Sequence, residues 1–223
     1  MSRMFSFIDK TWNLFTGCQY NCSYCSARSL ALNRLSHLNK YANGFNPTFH
    51  PTLLLQNFKK GQTIFIAYMG DLSCAKAYDI SLIMDRVREF PDTRFLVCTK
   101  NPELFSQKCP SIPDNVYYGT TLETNRAHSF SLAPSPWARG TALATHQHPL
   151  KFVSIEPLMD FDLPLFQSLL LSINPKIVEI GLDNYGNGLP QPSKTRIKHL
   201  YHFCVNAFPQ VNLKNNLLWL KGG

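Results

Sequence analysis

Six short runs rich in β-branched and aromatic residues recur along this chain, covering 11–16, 63–69, 94–99, 116–122, 151–155 and 177–182. The second to sixth lead directly into Asp71, Lys100, Glu123, Glu156 and Asp183. Helix-type stretches separate the runs. Residues 26–38 carry Ala27, Leu30, Ala31, Leu35 and Leu38 at helical spacing, and about 80–90 carry Ile80, Ile83, Met84 and Val87 on one face. Pro51 suits the first turn of a short helix ending near Phe58, after a loop over 39–50. Pro164 opens a helix with Leu165, Phe166, Leu169, Leu170 and Ile173. Ser193 caps a last one that turns Ile197, Leu200, Tyr201, Cys204, Val205 and Phe208 inward. A final strand near 211–213 or 217–220 closes the chain.

Strands that alternate with helices pair in parallel through right-handed crossovers. Six or seven such units favour an α/β fold of the open or partial-barrel kind over a flat sheet. No repeat or boundary divides the sequence, so residues 1–223 read as one domain. In parallel α/β folds the C-terminal strand edge carries the active site. A charged residue at five successive strand ends marks that edge.

The first run feeds into Gly17-Cys18-Gln19-Tyr20-Asn21-Cys22-Ser23-Tyr24-Cys25. Three of the 7 cysteines crowd into this loop, while Cys74, Cys98, Cys109 and Cys204 are scattered. That distribution is unlike a secreted disulfide framework and points to metal or redox work. In a C-x3-C-x2-C loop each thiolate can bind one iron of a cubane cluster. The fourth iron then has no ligand from the loop and can bind a small molecule. Two alternatives stay open. A zinc site needs a fourth ligand nearby, and the next histidine is His37. An electron-transfer cluster would be closed by Cys74 or Cys98.

The net charge is +8, which favours an anionic partner such as nucleic acid or a nucleotide. No stretch approaches the roughly 18 apolar residues of a membrane span. The first residues lack the apolar run of a signal peptide, so the sequence reads as cytoplasmic. Residues 124–149, with three prolines and three histidines, read as a long irregular loop at the active edge. Within it Arg126 and Arg139 are candidates for bidentate contacts to an anionic substrate, joined by Lys214 near the end of the chain.

The cysteine spacing, with aromatic Tyr24 before the third cysteine, resembles the signature of the radical SAM superfamily. TWNLFTGCQYNCSYC, IFIAYMGDL, FLVCTKNPELF, YYGTTLETNR, FVSIEPLMDFD and VEIGLDNYG, in that order, resemble the phage Gp37/Gp68-like, DUF5131-type radical SAM proteins. Cys98 departs from the aliphatic residue more usual there. The resemblance implies a partial TIM-like (β/α)6 barrel with the cluster loop after the first strand. It implies a [4Fe–4S] cluster on Cys18, Cys22 and Cys25, with S-adenosylmethionine on the open iron. Reductive cleavage would give a 5′-deoxyadenosyl radical that takes hydrogen from a substrate. An electron donor such as a flavodoxin or ferredoxin is implied as well. Carried over residue by residue, Gly70 and Asp71 would receive the methionyl amine and Lys100 its carboxylate. Thr121 and Glu123 would hold the ribose, Ser154 and Glu156 the adenine and ribose edge, and Tyr24 would lie against the adenine.

Overall fold

The computed structural model describes residues 5–222. In chain order its strands and α-helices are β1 (Lys10–Trp12), β2 (Phe15–Thr16), α1 (Ser26–Ser29), β3 (Thr48–Phe49), β4 (Thr63–Ile66), α2 (Ala77–Arg88), β5 (Arg94–Thr99), α3 (Pro102–Lys108), β6 (Val116–Thr121), α4 (Pro136–Thr145), β7 (Lys151–Ile155), α5 (Leu163–Ile173), β8 (Ile177–Ile180), α6 (Lys194–Ala207) and β9 (Gln210–Leu213). Seven strands form one sheet in the order β1-β4-β5-β6-β7-β8-β9, and every neighbouring pair is parallel. The sheet curls into a partial, TIM-like barrel, as the sequence predicts.

Strand alternation assigns each residue a side. One face of the sheet meets the helices through Ile64, Ile66, Phe95, Val97, Tyr118, Val153, Ile155 and Val178. These pack with Ile80, Ile83, Met84 and Val87 of α2 and Phe166, Leu169, Leu170 and Ile173 of α5. The other face lines the bore. There Phe5, Ile8, Phe65, Leu96, Phe152 and Ile177 form a smaller apolar cluster that fills the bottom. Above it, the register aligns Thr121, Ser154, Glu179 and Asn212 as one polar row across β6 to β9.

Several local expectations are corrected. The first run splits: Lys10–Trp12 joins the sheet, while Phe15–Thr16 turns away to pair antiparallel with Thr48–Phe49. The helix expected over 26–38 is one α-turn continued as a π-helix, Leu30–Arg34, and it buries only Ala31. The predicted loop at 39–50 contains the 3-10 turn Asn39–Tyr41 and β3, and the helix opened by Pro51 is a 3-10 turn ending at Leu55. Residues 124–149 are not wholly irregular. Ser135 caps α4, accepting a hydrogen bond from Ala138 N–H, and Pro136 occupies its first turn. Asn101 and Pro102 start α3 in the same way. Leu165 and Val205 face solvent. The chain closes on β9 and a 3-10 segment, Asn215–Gly222, not on a strand at 217–220.

Candidate active site

A cavity of about 840 Å³ opens at the C-terminal edge of the sheet, and Cys18, Cys22 and Cys25 all line it. The loop that carries them is held by close backbone approach. Gly17 has φ +85°, and a Cβ there would lie 2.2 Å from Asn46 O. Its N–H donates to Met69 O at 2.9 Å, its carbonyl accepts from Asp71 N–H at 3.2 Å, and Cys18 N–H donates to Phe45 O at 3.1 Å. The cysteine loop is thereby fixed against the end of β4.

The donor set fits a cubane cluster. All three are free thiols. Cys18 Sγ accepts from Tyr20 N–H at 3.4 Å and Cys25 Sγ from Arg28 N–H at 3.3 Å, contacts that would favour sulfur in its anionic form. Cys22 Sγ lies 3.1 Å from Ser131 Oγ. Among the described residues no three His, Cys, Asp or Glu side chains converge as a single ion requires. A cubane makes no such demand, because each thiolate binds a different iron. Of the distant cysteines, Cys74 packs on the same apolar cluster as Cys18 but is not part of the cavity lining. Cys98 does line the cavity, but its Sγ faces Thr121 Oγ1 at 3.7 Å, and burial pushes its thiol up to about 12.

The strand-end residues divide into two groups. In the first, Asp71 lines the cavity with its carboxylate already engaged. Oδ1 accepts from Ser73 N–H, Ser73 Oγ and Thr99 Oγ1 at 3.0, 2.8 and 2.6 Å, and Oδ2 accepts from Lys100 N–H at 2.8 Å. Three donors crowd Oδ1, while Oδ2, with one, keeps an acceptor position of the carboxylate open. Behind Asp71 lies a buried ion network centred on Glu123. Tyr24 donates its hydroxyl to Glu123 Oε1 at 2.6 Å, and Arg139 Nη2 donates to Oε2 at 2.6 Å. Lys100 Nζ pairs with Oε1 and donates to Tyr24 Oη at 3.0 Å. Burial alone would push the Glu123 carboxyl up, but Arg139 and Lys100 hold it well below the usual carboxylate range. Burial raises the Tyr24 hydroxyl. Burial also opposes the Lys100 charge, yet Glu123 and Tyr24 carry its pKa upward.

This network corrects two expectations. Glu123 does not line the cavity; it ties the cysteine loop, through Tyr24, to the ends of β5 and β6. Arg139 is not a loop residue facing a substrate. It lies on α4, 1% exposed, with Nη1 donating to Thr121 O at 2.6 Å and Nη2 on Glu123. Arg126 is likewise engaged elsewhere, bonded to Asp160 at 2.5 Å and Asp162 at 2.9 and 2.6 Å, away from the cavity lining.

The second group lies across the bore. Thr121, Glu156, Glu179 and Lys214 line the cavity. Lys214 Nζ is 3.4 Å from Glu156 Oε2 and 4.9 Å from the centre of the Phe5 ring. Gly181 makes that approach possible: a Cβ there would lie 2.5 Å from Lys214 Cγ and 3.1 Å from Glu156 Cδ. Burial raises the Glu156 carboxyl, with Lys214 opposing. Ser154 is 1% exposed, off the cavity lining, and its Oγ has no partner. Sequence reasoning missed Glu179, whose buried carboxyl burial pushes up to about 7. The signal was present: in the run IVEI it alternates with Val178 and Ile180, so it points into the bore when they point out.

No helix among the described residues is long and apolar enough to cross a membrane. Comparison with solved structures finds spore photoproduct lyase repeatedly. A cysteine-to-serine variant matches with TM-score 0.65 and 10% identity over 96% of this chain and 77% of the other. A cysteine-to-alanine variant with dinucleoside spore photoproduct matches with TM-score 0.60 and 12% identity over 86% of this chain. A double variant with bound AdoMet and the same photoproduct matches with TM-score 0.57 and 11% identity over 93% of this chain. The chain spans only 60% and 63% of these two photoproduct-bound lyase chains. At such identities the likeness concerns the fold. No curated protein matches in sequence. The family model described as a protein of unknown function, DUF5131, matches residues 3–174, and the chain belongs to that family.

Proposed function

We propose that this protein is a radical SAM enzyme. The observation that carries the reading is the set of three free thiols in C-x3-C-x2-C spacing, together on the wall of a cavity ringed by the remaining strand ends. The fold shared with spore photoproduct lyase, one structure of which has AdoMet bound, supports it. The motif runs quoted above support kinship with the phage Gp37/Gp68-like proteins.

Cys18, Cys22 and Cys25 would hold a [4Fe–4S] cluster. When bound, the cluster supplies the electron that cleaves S-adenosylmethionine to a 5′-deoxyadenosyl radical, and the protein positions and shields that chemistry. Gly70 and the tethered Asp71 shape the wall where the methionyl amine would lie. Lys100 and Arg139 carry two positive charges against the one negative charge of Glu123. The surplus is presented at Lys100, the member on the cavity wall with Tyr24, where the methionyl carboxylate would find it. Thr121 and Glu156 line the cavity where ribose and adenine would lie, with Ser154 behind them. Lys214, expected from sequence on the substrate side, stands there paired with Glu156. A nucleic-acid or nucleotide substrate is favoured by the net charge of +8 and by the dinucleoside bound to the lyase neighbours. A flavodoxin or ferredoxin would supply the electron.

Anaerobic reconstitution with iron and sulfide, followed by reduction, tests this reading. The electron paramagnetic resonance signal of the reduced protein should shift on adding S-adenosylmethionine. A signal indifferent to it would favour an electron carrier, and one colourless metal per chain would favour zinc.

A further inference from the structure

Glu179 is the least expected residue in the bore. It is 0% exposed, it lines the cavity, and both its carboxyl oxygens lack a hydrogen-bond partner. Buried polar groups are nearly always paired, and an unpaired one calls for a missing ligand or water. Its register partners on either side share the condition: Ser154 Oγ on β7 and Asn212 Nδ2 on β9 are also buried without partners. Of these three only Glu179 lines the cavity; Ser154 and Asn212 lie behind its wall, where the Asn212 amide favours the Glu179 carboxylate. Glu123, equally buried, has its oxygens filled by Tyr24, Lys100 and Arg139. The bore therefore leaves Glu179 unsatisfied beside a fully satisfied network.

The surroundings limit what could meet it. Glu156, Glu179 and Asp183 line this side of the cavity against one cation, Lys214, which Glu156 already pairs. A phosphate or carboxylate in the bore would meet more negative than positive charge. Phe65 and Tyr68, their ring centres 5.7 Å apart, line the same cavity, and Phe45 lines it beside the cysteine loop. Aromatic faces with a few edge-reading polar groups are the set by which proteins read an unstacked base.

We propose that Glu179 reads the hydrogen-bonding edge of an uncharged nucleobase lodged in the bore beside the aromatic residues of its wall. The inference rests on the radical SAM reading above and deepens it. The base enters the barrel, and any phosphates stay outside it.

The test uses reconstituted protein loaded with S-adenosylmethionine, titrated calorimetrically with the four 2′-deoxynucleosides and with N3-methylthymidine. At least one deoxynucleoside should bind, and millimolar inorganic phosphate should not displace it. If thymidine is the one bound, N3-methylthymidine should bind at least tenfold more weakly. Glu179→Ala should weaken nucleoside binding about tenfold, the effect of losing one buried hydrogen-bonding group. Glu179→Gln, which keeps the shape, guards against a fold defect and should weaken binding less. Both variants should keep their iron content and their affinity for S-adenosylmethionine. The inference is overturned if no deoxynucleoside binds a wild-type protein that does bind iron and S-adenosylmethionine, if phosphate competes, or if Glu179→Ala binds nucleoside like wild type. Loss of S-adenosylmethionine affinity in both variants would place Glu179 with the cofactor and also overturn it. Failure of the wild type to take up iron would instead overturn the underlying enzyme reading.

Discussion

Replacing Arg139 by Met removes one of the two cations that neutralise Glu123, together with the hydrogen bond to Thr121 O, while nearly keeping the side-chain volume. Arg139 and Glu123 side chains are both 0% exposed, so water cannot take over either contact. Breaking a buried ion pair by removing one partner costs about 3–5 kcal/mol, because the other charge stays behind. Here Lys100 still pairs with Glu123, so the lower end, about 3 kcal/mol, applies. For a chain of this size 1 kcal/mol moves the melting temperature about 2–4 °C, giving a drop of about 6–12 °C. Urea denaturation at neutral pH with Arg139→Met, and with the double variant Glu123→Gln/Arg139→Met, measures it. The double variant should not recover the loss and should be less stable than the single one, since it strands the Lys100 ammonium without the carboxylate that pairs with it. A single variant costing less than about 1 kcal/mol, within the range of an exposed pair, would refute the network as described.

Other consequences are equally open to measurement. Glu179 has a folded pKa of about 7, above the ordinary carboxylate value, so the native state binds more protons than the unfolded state between the two. Its contribution to stability is therefore largest at low pH and is lost as pH rises to about 7, by an amount on the order of 3 kcal/mol. Relative to wild type, Glu179→Gln should gain stability across that window and hold the gain above it; parallel pH profiles would show that burial does not perturb the group. Gly17→Ala must place a Cβ 2.2 Å from Asn46 O in a left-handed backbone, so iron uptake after reconstitution should fall sharply, and normal uptake would argue against the tight loop. Cys22→Ser should lose the cluster while Cys74→Ser retains it; equal loss in both would make Cys74 a ligand.

Much of the fold was legible because strand and helix periods differ so plainly here. The runs at 94–99 and 151–155 coincide with β5 and β7, and the inward residues of α2 were read correctly. Helix α4 was hidden by its own punctuation: Pro134 and Pro136 suggest a loop, yet Pro136 with the Ser135 cap is also how a helix begins. The cysteine loop, Asp71, Lys100 and Glu156 were placed at one edge because strand ends are readable from sequence. The partners of those residues were not. That Arg139 would turn inward to Glu123, while Arg126 turns outward to Asp160 and Asp162, depends on where α4 and the segment after β7 pack. An arginine carries no local sign of which carboxylate it will meet. Glu179 was overlooked for a related reason: a charge inside a β-run looks like an exception until its neighbours define the bore.

The central claim is that the three-cysteine loop drives reductive cleavage of S-adenosylmethionine. The direct measurement is chromatography of 5′-deoxyadenosine released by anaerobically reconstituted, dithionite-reduced protein, alongside its iron content. About four irons per chain and release of 5′-deoxyadenosine, both abolished in Cys22→Ser, are the predicted result. A reduced protein with a full iron complement that leaves S-adenosylmethionine intact would contradict it.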